Sequence, residues 1–66
     1  MSWRTVVISN SAKLDYKMGY MIVRGSEIKK IHMSEMALLL IESTAVSITA
    51  SLLSELTKQK VKVIFC

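Results

Sequence analysis

The chain has 66 residues, of which 52% are hydrophobic and 21% are charged, and it carries a formal net charge of +4. This composition predicts one small domain and excludes a disordered chain. The positive charge suits an anionic partner such as nucleic acid, and it also occurs on ordinary soluble domains. The longest apolar run, Met36 to Ile41, is far shorter than the ~20 residues of a membrane-spanning helix, and the N-terminus lacks a secretory signal, so we expect a cytoplasmic protein that does not enter a membrane.

Four strands are predicted in the first half of the chain. They are rich in β-branched or aromatic residues, and the second alternates apolar and polar side chains with a period of two. The register of the fourth is ambiguous because its apolar positions Ile28, Ile31 and Met33 do not alternate regularly. In chain order the predicted strands are Trp3–Ser9, Ala12–Lys17, Tyr20–Val23 and Glu27–Met33.

A tight turn is predicted between the second and third strands, where Gly19 supplies a residue that tolerates positive φ. A two-residue turn would force Met18 to positive φ as well. We therefore predict a three-residue loop of Lys17, Met18 and Gly19, in which Gly19 is the left-handed residue.

A strand–helix–strand unit is predicted in the second half of the chain. The apolar run Ala37–Ile41 predicts a central strand that is buried on both faces, and a buried helical turn is the alternative. The last segment, Val61–Phe65, is dense in β-branched residues. We expect it to lie parallel to Ala37–Ile41, with a right-handed crossover between the two strands.

The helix of this unit is amphipathic. Its apolar face is predicted to contain Ile48, Leu52 and Leu56 with Leu53 beside them, and Ser47 or Thr49 is expected to cap its N-terminus. The whole sequence thus predicts an α+β fold that is mostly β, with antiparallel hairpins plus one β-α-β crossover that carries a single amphipathic helix.

The sequence predicts no catalytic or metal site. The five carboxylates are scattered, His32 is the sole histidine and Cys66 is the sole cysteine, so residues are lacking for an acid–base pair, a catalytic triad or a metal site within one chain. Two glycines are too few for a phosphate-binding loop. This chain alone is therefore predicted not to be an enzyme.

Basic residues are the positive signal for a ligand. The hairpin region concentrates several cations with tyrosines between them, which predicts a face that contacts phosphates and stacks on bases. The alternative is that the lysines keep the sheet soluble and protect its edges, while the tyrosines pack one face of a hairpin. The candidate DNA-binding residues are Lys13, Lys17, Arg24, Lys29 and Lys30, together with Tyr16 and Tyr20.

Several segments resemble one protein family. Residues Val46–Phe65, V-S-I-T-A-S-L-L-S-E-L-T-K-Q-K-V-K-V-I-F, are similar to the signature segment of the CRISPR-associated spacer-acquisition (adaptation) integrase, a metal-dependent DNA endonuclease and integrase. The resemblance covers essentially the whole chain. Four more segments are similar to the version found in type II CRISPR systems: W-R-T-V-V at Trp3–Val7, K-L-D-Y-K at Lys13–Lys17, I-H-M-S-E at Ile31–Glu35 and L-L-L-I-E at Leu38–Glu42.

The chain departs from this family at the end of its helix. Many members carry Gly where Lys60 stands and Pro where Lys62 stands. Without the glycine, Lys60 must either adopt a left-handed conformation or end the helix in another way.

The resemblance implies that the chain is part of a longer enzyme. In the family a β-rich N-terminal domain, here residues 1–66, precedes a helical domain that holds Mg²⁺ or Mn²⁺ with a Glu, a His and an acidic residue. None of those ligands can be assigned to this chain. We therefore expect a fragment of the enzyme without its active site.

The resemblance also implies partners. In the family the N-terminal domain forms a homodimer and helps to grip double-stranded DNA, which includes the protospacer and the CRISPR repeat, while a small CRISPR-associated partner protein bridges two dimers. It assigns phosphate contacts to the five candidate cations and stacking to Tyr16 or Tyr20. A different interpretation is a stand-alone self-association module with no nucleic-acid role, for which the apolar final strand is the motivation.

Overall fold

The computed structural model describes residues 4–66, which fold into two β-sheets and one α-helix. This mostly β structure with a single helix in the described part agrees with the predicted fold class. Trp3, the predicted first residue of the first strand, lies outside the described residues. The elements are β1 (Arg4–Ile8), β2 (Ala12–Lys17), β3 (Tyr20–Arg24), β4 (Ile28–His32), a 3-10 helix (Met33–Glu35), β5 (Met36–Ile41), β6 (Val46–Ile48), α1 (Ala50–Lys58) and β7 (Lys62–Phe65).

A three-stranded parallel sheet has β5 at its centre, with β1 on one side and β7 on the other. The parallel pairing of β5 with β7 confirms the prediction, whereas the pairing of β1 with β5 was not predicted. The prediction that β5 is buried on both faces is wrong, because one of its faces is only half-buried. Leu38 and Leu40 are half-buried because the rest of the described chain packs against the other face, which carries Leu39.

A four-stranded sheet has the order β4-β3-β2-β6. The antiparallel hairpins β2–β3 and β3–β4 are confirmed, while β6, which runs parallel to β2, was not predicted. Placing Ile48 on the apolar face of the helix was therefore wrong. Thr49 keeps an extended backbone, with φ −76° and ψ 153°, so α1 begins at Ala50 and Ile48 stays in a strand, where it pairs with Leu14.

The turn between β2 and β3 has two residues. Lys17 pairs directly with Tyr20, and the central residues Met18 and Gly19 have φ of 50° and 84°. The positive φ of Gly19 is confirmed, but the three-residue loop was wrong. Positive φ at both positions is the geometry of a type I′ turn, whose twist fits the flanking strands. This fit offsets the ~1–2 kcal/mol that a left-handed conformation costs a residue other than glycine.

A single hydrophobic core is shared by both sheets and α1. The hydroxyl oxygen of Thr49 caps the helix by accepting the Leu52 N–H at 3.3 Å, so Thr49 rather than Ser47 is the cap. Burial of Leu52 and Leu56 confirms that part of the predicted apolar face, whereas Leu53 is 45% exposed. The largest fully buried side chains come from every layer of the fold: Leu14, Met21, Met33, Leu39, Ile41, Leu52 and Leu56.

Helix α1 ends in a Schellman motif. The Lys60 N–H donates to the Thr57 carbonyl at 3.2 Å, and the Val61 N–H donates to the Leu56 carbonyl at 3.0 Å. Lys60 has φ 58° and occupies the position that usually holds glycine. The left-handed lysine, the first of the two expected endings, is thus confirmed.

Replacing Lys60 by glycine is expected to raise the free energy of unfolding by about 1 kcal/mol, because glycine adopts the left-handed conformation without strain. Urea denaturation followed by circular dichroism measures the change. Ser54→Gly is the control, since the exposed Ser54 lies in the middle of α1, where glycine is expected to lower the free energy of unfolding by roughly 0.5–1 kcal/mol. Equal effects of the two substitutions would contradict the left-handed conformation of Lys60.

Candidate nucleic-acid interface

The pairing register of β2, β3 and β4 determines which candidate residues share a face. Directly paired residues of neighbouring strands point to the same side of a sheet. Here Lys13 pairs with Arg24, Lys17 pairs with Tyr20, and Lys30 pairs with Ile22. The side that points away from the core, which we term the cationic face, therefore collects most of the predicted residues: Lys13, Lys17, Tyr20, Arg24 and Lys30.

The remaining two candidates, Lys29 and Tyr16, lie on the other side of the sheet. Lys29 pairs with Val23 and lines a cleft of about 340 Å³ between β1 and the hairpin sheet. Tyr16 pairs with Met21 and is half-buried against the hydrophobic core. Because side chains alternate between the two sides of a strand, Lys29 and Tyr16 point away from the cationic face, although Lys30 and Lys17 next to them in sequence belong to it.

The cations of this face have no acidic partner among residues 4–66. In this part of the chain the one ion pair joins Arg4 and Glu35, 3.6 Å apart, and neither residue belongs to the face. By strand alternation Asp15 does point to this side. However, its Oδ1 accepts the Tyr16 N–H at 2.8 Å and the Thr49 hydroxyl at 3.4 Å rather than a lysine ammonium.

Lys13 and Arg24 stand directly opposite each other on β2 and β3. Like charges in this position weaken a sheet, because the two side chains repel at short range. Both residues are exposed, so an anion from solution can approach either of them. The arrangement creates a positive potential that an anionic partner would relieve.

The centre of the cationic face is apolar. Ile22 is only 5% exposed although it lies outside the core cluster. At the hairpin end the rings of Tyr20 and His32 meet edge to face, with centroids 4.9 Å apart. The Ser34 hydroxyl holds His32 by approaching Nδ1 to 2.7 Å. Tyr20 remains 39% exposed, which leaves aromatic surface for stacking on a base.

The chemistry offered by this face is electrostatic binding. Its cations extend over ~13 Å along β2 from Lys13 to Lys17, which is about four steps of one strand of duplex DNA. Within residues 4–66 no three His, Cys, Asp or Glu side chains lie close enough to hold a metal ion. The described chain therefore does not fit the Mg²⁺ or Mn²⁺ that the family resemblance implies, and no chemical step is assigned to it. No helix in the described residues is long and apolar enough to cross a membrane.

A second exposed surface lies on the outer side of the parallel sheet. Val7, Leu40 and Ile64 form one row across β1, β5 and β7, and we term this row the apolar face. Val7 is 50% exposed and Ile64 is 44% exposed. This exposure is unusual, because parallel sheets are normally covered on both sides.

A scan of the sequence against protein-family models gives no match. The geometry of the two faces and the resemblance of the quoted segments remain as indications of function. Of the two surfaces, the cationic face contains five of the seven residues that the sequence predicts to bind DNA.

Replacing Arg24 by glutamate is expected to raise the free energy of unfolding by roughly 0.2–1 kcal/mol at low salt, because a like-charge pair with Lys13 becomes an opposite-charge pair. Urea denaturation at low salt and at ~1 M NaCl measures the gain, which screening is expected to remove at high salt. Lys29→Glu is the control, since Lys29 pairs with Val23, and a change within ~0.5 kcal/mol is expected. A loss of stability in Arg24→Glu at low salt would contradict its pairing with Lys13.

Proposed function

We propose that this chain is the N-terminal β domain of a CRISPR-associated spacer-acquisition integrase, in which it binds double-stranded DNA and forms a homodimer. The observation that supports DNA binding is the cationic face, where basic side chains share one side of a sheet without a carboxylate partner in the described residues. The resemblance of five segments, spread over the whole chain, supports the family.

Duplex DNA suits the electrostatics of the cationic face. A row of phosphates gives each cation an opposite charge and releases the counterions condensed on the DNA. If Lys13, Lys17, Arg24 and Lys30 each neutralise one phosphate, the salt slope is about −3.6, which is a loss of affinity of ~150-fold between ~0.05 and ~0.2 M salt. Phosphate contacts are independent of sequence, as a protein that captures DNA of any sequence requires.

The other parts of the proposal follow from the resemblance. Catalysis with Mg²⁺ or Mn²⁺ belongs to a helical domain of the parent enzyme, which inserts the protospacer into a CRISPR repeat in the cytoplasm, and a small partner protein bridges two homodimers. The coding sequence after Cys66 tests this part. A helical region with a Glu, a His and an acidic residue supports it, and a stop codon far from any CRISPR array contradicts it.

Replacing Lys30 by glutamine is expected to weaken binding to a short DNA duplex and to reduce the salt slope by about 0.9, because one phosphate contact is lost. Fluorescence anisotropy of a labelled duplex over a salt series measures both quantities. Lys29→Gln is the matched control, because Lys29 is the adjacent lysine of the same strand and faces the other side of the sheet.

Wild-type affinity and slope are expected for Lys29→Gln. Equal losses in the two variants would show that the cationic face is not the DNA-binding surface. A wild-type chain that shows no salt-sensitive affinity for duplex DNA would refute the DNA-binding function itself.

A second candidate function, self-association without a nucleic-acid role, is favoured by the apolar face. Opposite charges flank the row of the apolar face on its two sides along the strand direction. Lys62 precedes Ile64 by two residues on β7, and Glu42 extends the pairing of β5 with β1, since its N–H donates to the Ile8 carbonyl at 2.9 Å. A two-fold axis across the strands would stack the apolar rows of two copies and place Lys62 of each copy near Glu42 of the other, so the surface complements itself.

Replacing Ile64 by threonine, which keeps the β-branched shape, is expected to weaken self-association because it puts a hydroxyl into the apolar row. Sedimentation velocity over a concentration series measures the dimer. Leu53→Gln is the control, since Leu53 is an exposed apolar residue of α1 outside the row. Lys62→Glu alone is expected to weaken the dimer, and the double substitution Lys62→Glu with Glu42→Lys is expected to restore it. A wild-type chain that is monomeric at every concentration would refute self-association.

A further inference from the structure

We propose that a concavity at one end of the cationic face binds the terminal phosphate of a nucleic-acid strand. The inference rests on the proposed DNA-binding function and specifies a subsite within it. The concavity measures about 500 Å³ and lies where β2 begins, β3 ends and β6 joins the sheet.

The concavity is lined by cations and hydroxyl groups. Lys13 pairs with Arg24 on one side and with Ser47 of β6 on the other, so these three side chains form one row on the cationic face. Three more hydroxyl groups come from the segments beside this row, and they belong to Ser11, Ser26 and Thr44. Together they offer ammonium, guanidinium and hydroxyl donors, which are the side-chain groups that bind phosphate oxygens.

These donors have no other partner within residues 4–66. The side-chain hydrogen bonds and the ion pair of the described chain involve none of the cations and hydroxyls that line the concavity. No carboxylate lines the concavity either. The cleft beside β1 differs in this respect, since Glu27 lines it together with Arg4 and Lys29. Of these two hollows, the concavity is the one that combines two cations with a lining free of carboxylates, and this lining favours an anion.

The charge and the position of the concavity favour a terminal phosphate over one inside a strand. A phosphate monoester carries close to two negative charges at neutral pH, which match Lys13 and Arg24, and the guanidinium fork binds two phosphate oxygens at once. A DNA strand that follows the cationic face from Lys17 reaches the concavity after ~13 Å, at the edge of the sheet. The end of that strand then lies where the donors converge.

The test compares short blunt duplexes of one sequence that end in a 5′-phosphate, a 3′-phosphate or hydroxyl groups only. The full chain is expected to bind one phosphorylated duplex about tenfold more tightly than the hydroxyl form in anisotropy titrations. Arg24→Gln and Lys13→Gln are expected to reduce this ratio to near one. Lys17→Gln is the matched variant, because Lys17 lies on the same strand and face but outside the concavity; it is expected to weaken every duplex and to keep the ratio.

Equal affinity for all three duplexes overturns the terminal-phosphate site while the DNA-binding function stands. The two failures are separated by a titration of the amide resonances with inorganic phosphate, which needs no DNA. Saturable shifts at Ser26 and Ser47 that disappear in Arg24→Gln support the phosphate site. If these shifts occur in a chain that binds no duplex, the site binds phosphate but the phosphate does not come from a nucleic acid. If the shifts are absent, the phosphate site itself is refuted.

Discussion

The register that aligns β3 with both of its neighbours is the constraint on which the rest of the structure depends. Met21 pairs with Tyr16 and with Ile31, which directs these side chains to the core. A shift of one residue would exchange the two faces of the strand and move Arg24 into the interior. Because the two-residue turn at Met18 sets this register, the strained backbone of one exposed methionine is a condition for the cationic face.

Helix α1 links the two sheets into one core. It follows β6 of the hairpin sheet and precedes β7 of the parallel sheet, and its cap and Schellman motif define where each strand joins it. The cationic face and the apolar face are each the side of a sheet that points away from this shared core. A second copy of the chain on the apolar face would therefore leave the cationic face open to DNA, so one chain could both form a homodimer and bind DNA.

Much of the fold followed from local sequence patterns. The period of two in β2, the need for positive φ at Gly19 and the apolar run of β5 each depend on neighbouring residues alone. Four features did not, because contacts distant in sequence determine them: the parallel pairing of β1, the exposure of one face of β5, the presence of Ile48 in a strand, and the side on which Lys29 lies. Ile28 and Ile31 occupy opposite faces of β4, so the apolar pattern of this strand allowed either register. The pairing of Ile31 with Met21 selects the register in which Ile31 faces the core.

The two sheets differ in how far apart their strands lie along the chain, and this difference affects the order in which they fold. The strands β2, β3 and β4 are consecutive and joined by short turns, so their pairing closes small loops. The parallel sheet unites β1, β5 and β7, the first, a middle and the last strand of the described chain, and each of its contacts closes a long loop. High contact order slows folding. We expect the hairpins to form early and the parallel sheet to complete folding only when β7, the last strand, has left the ribosome.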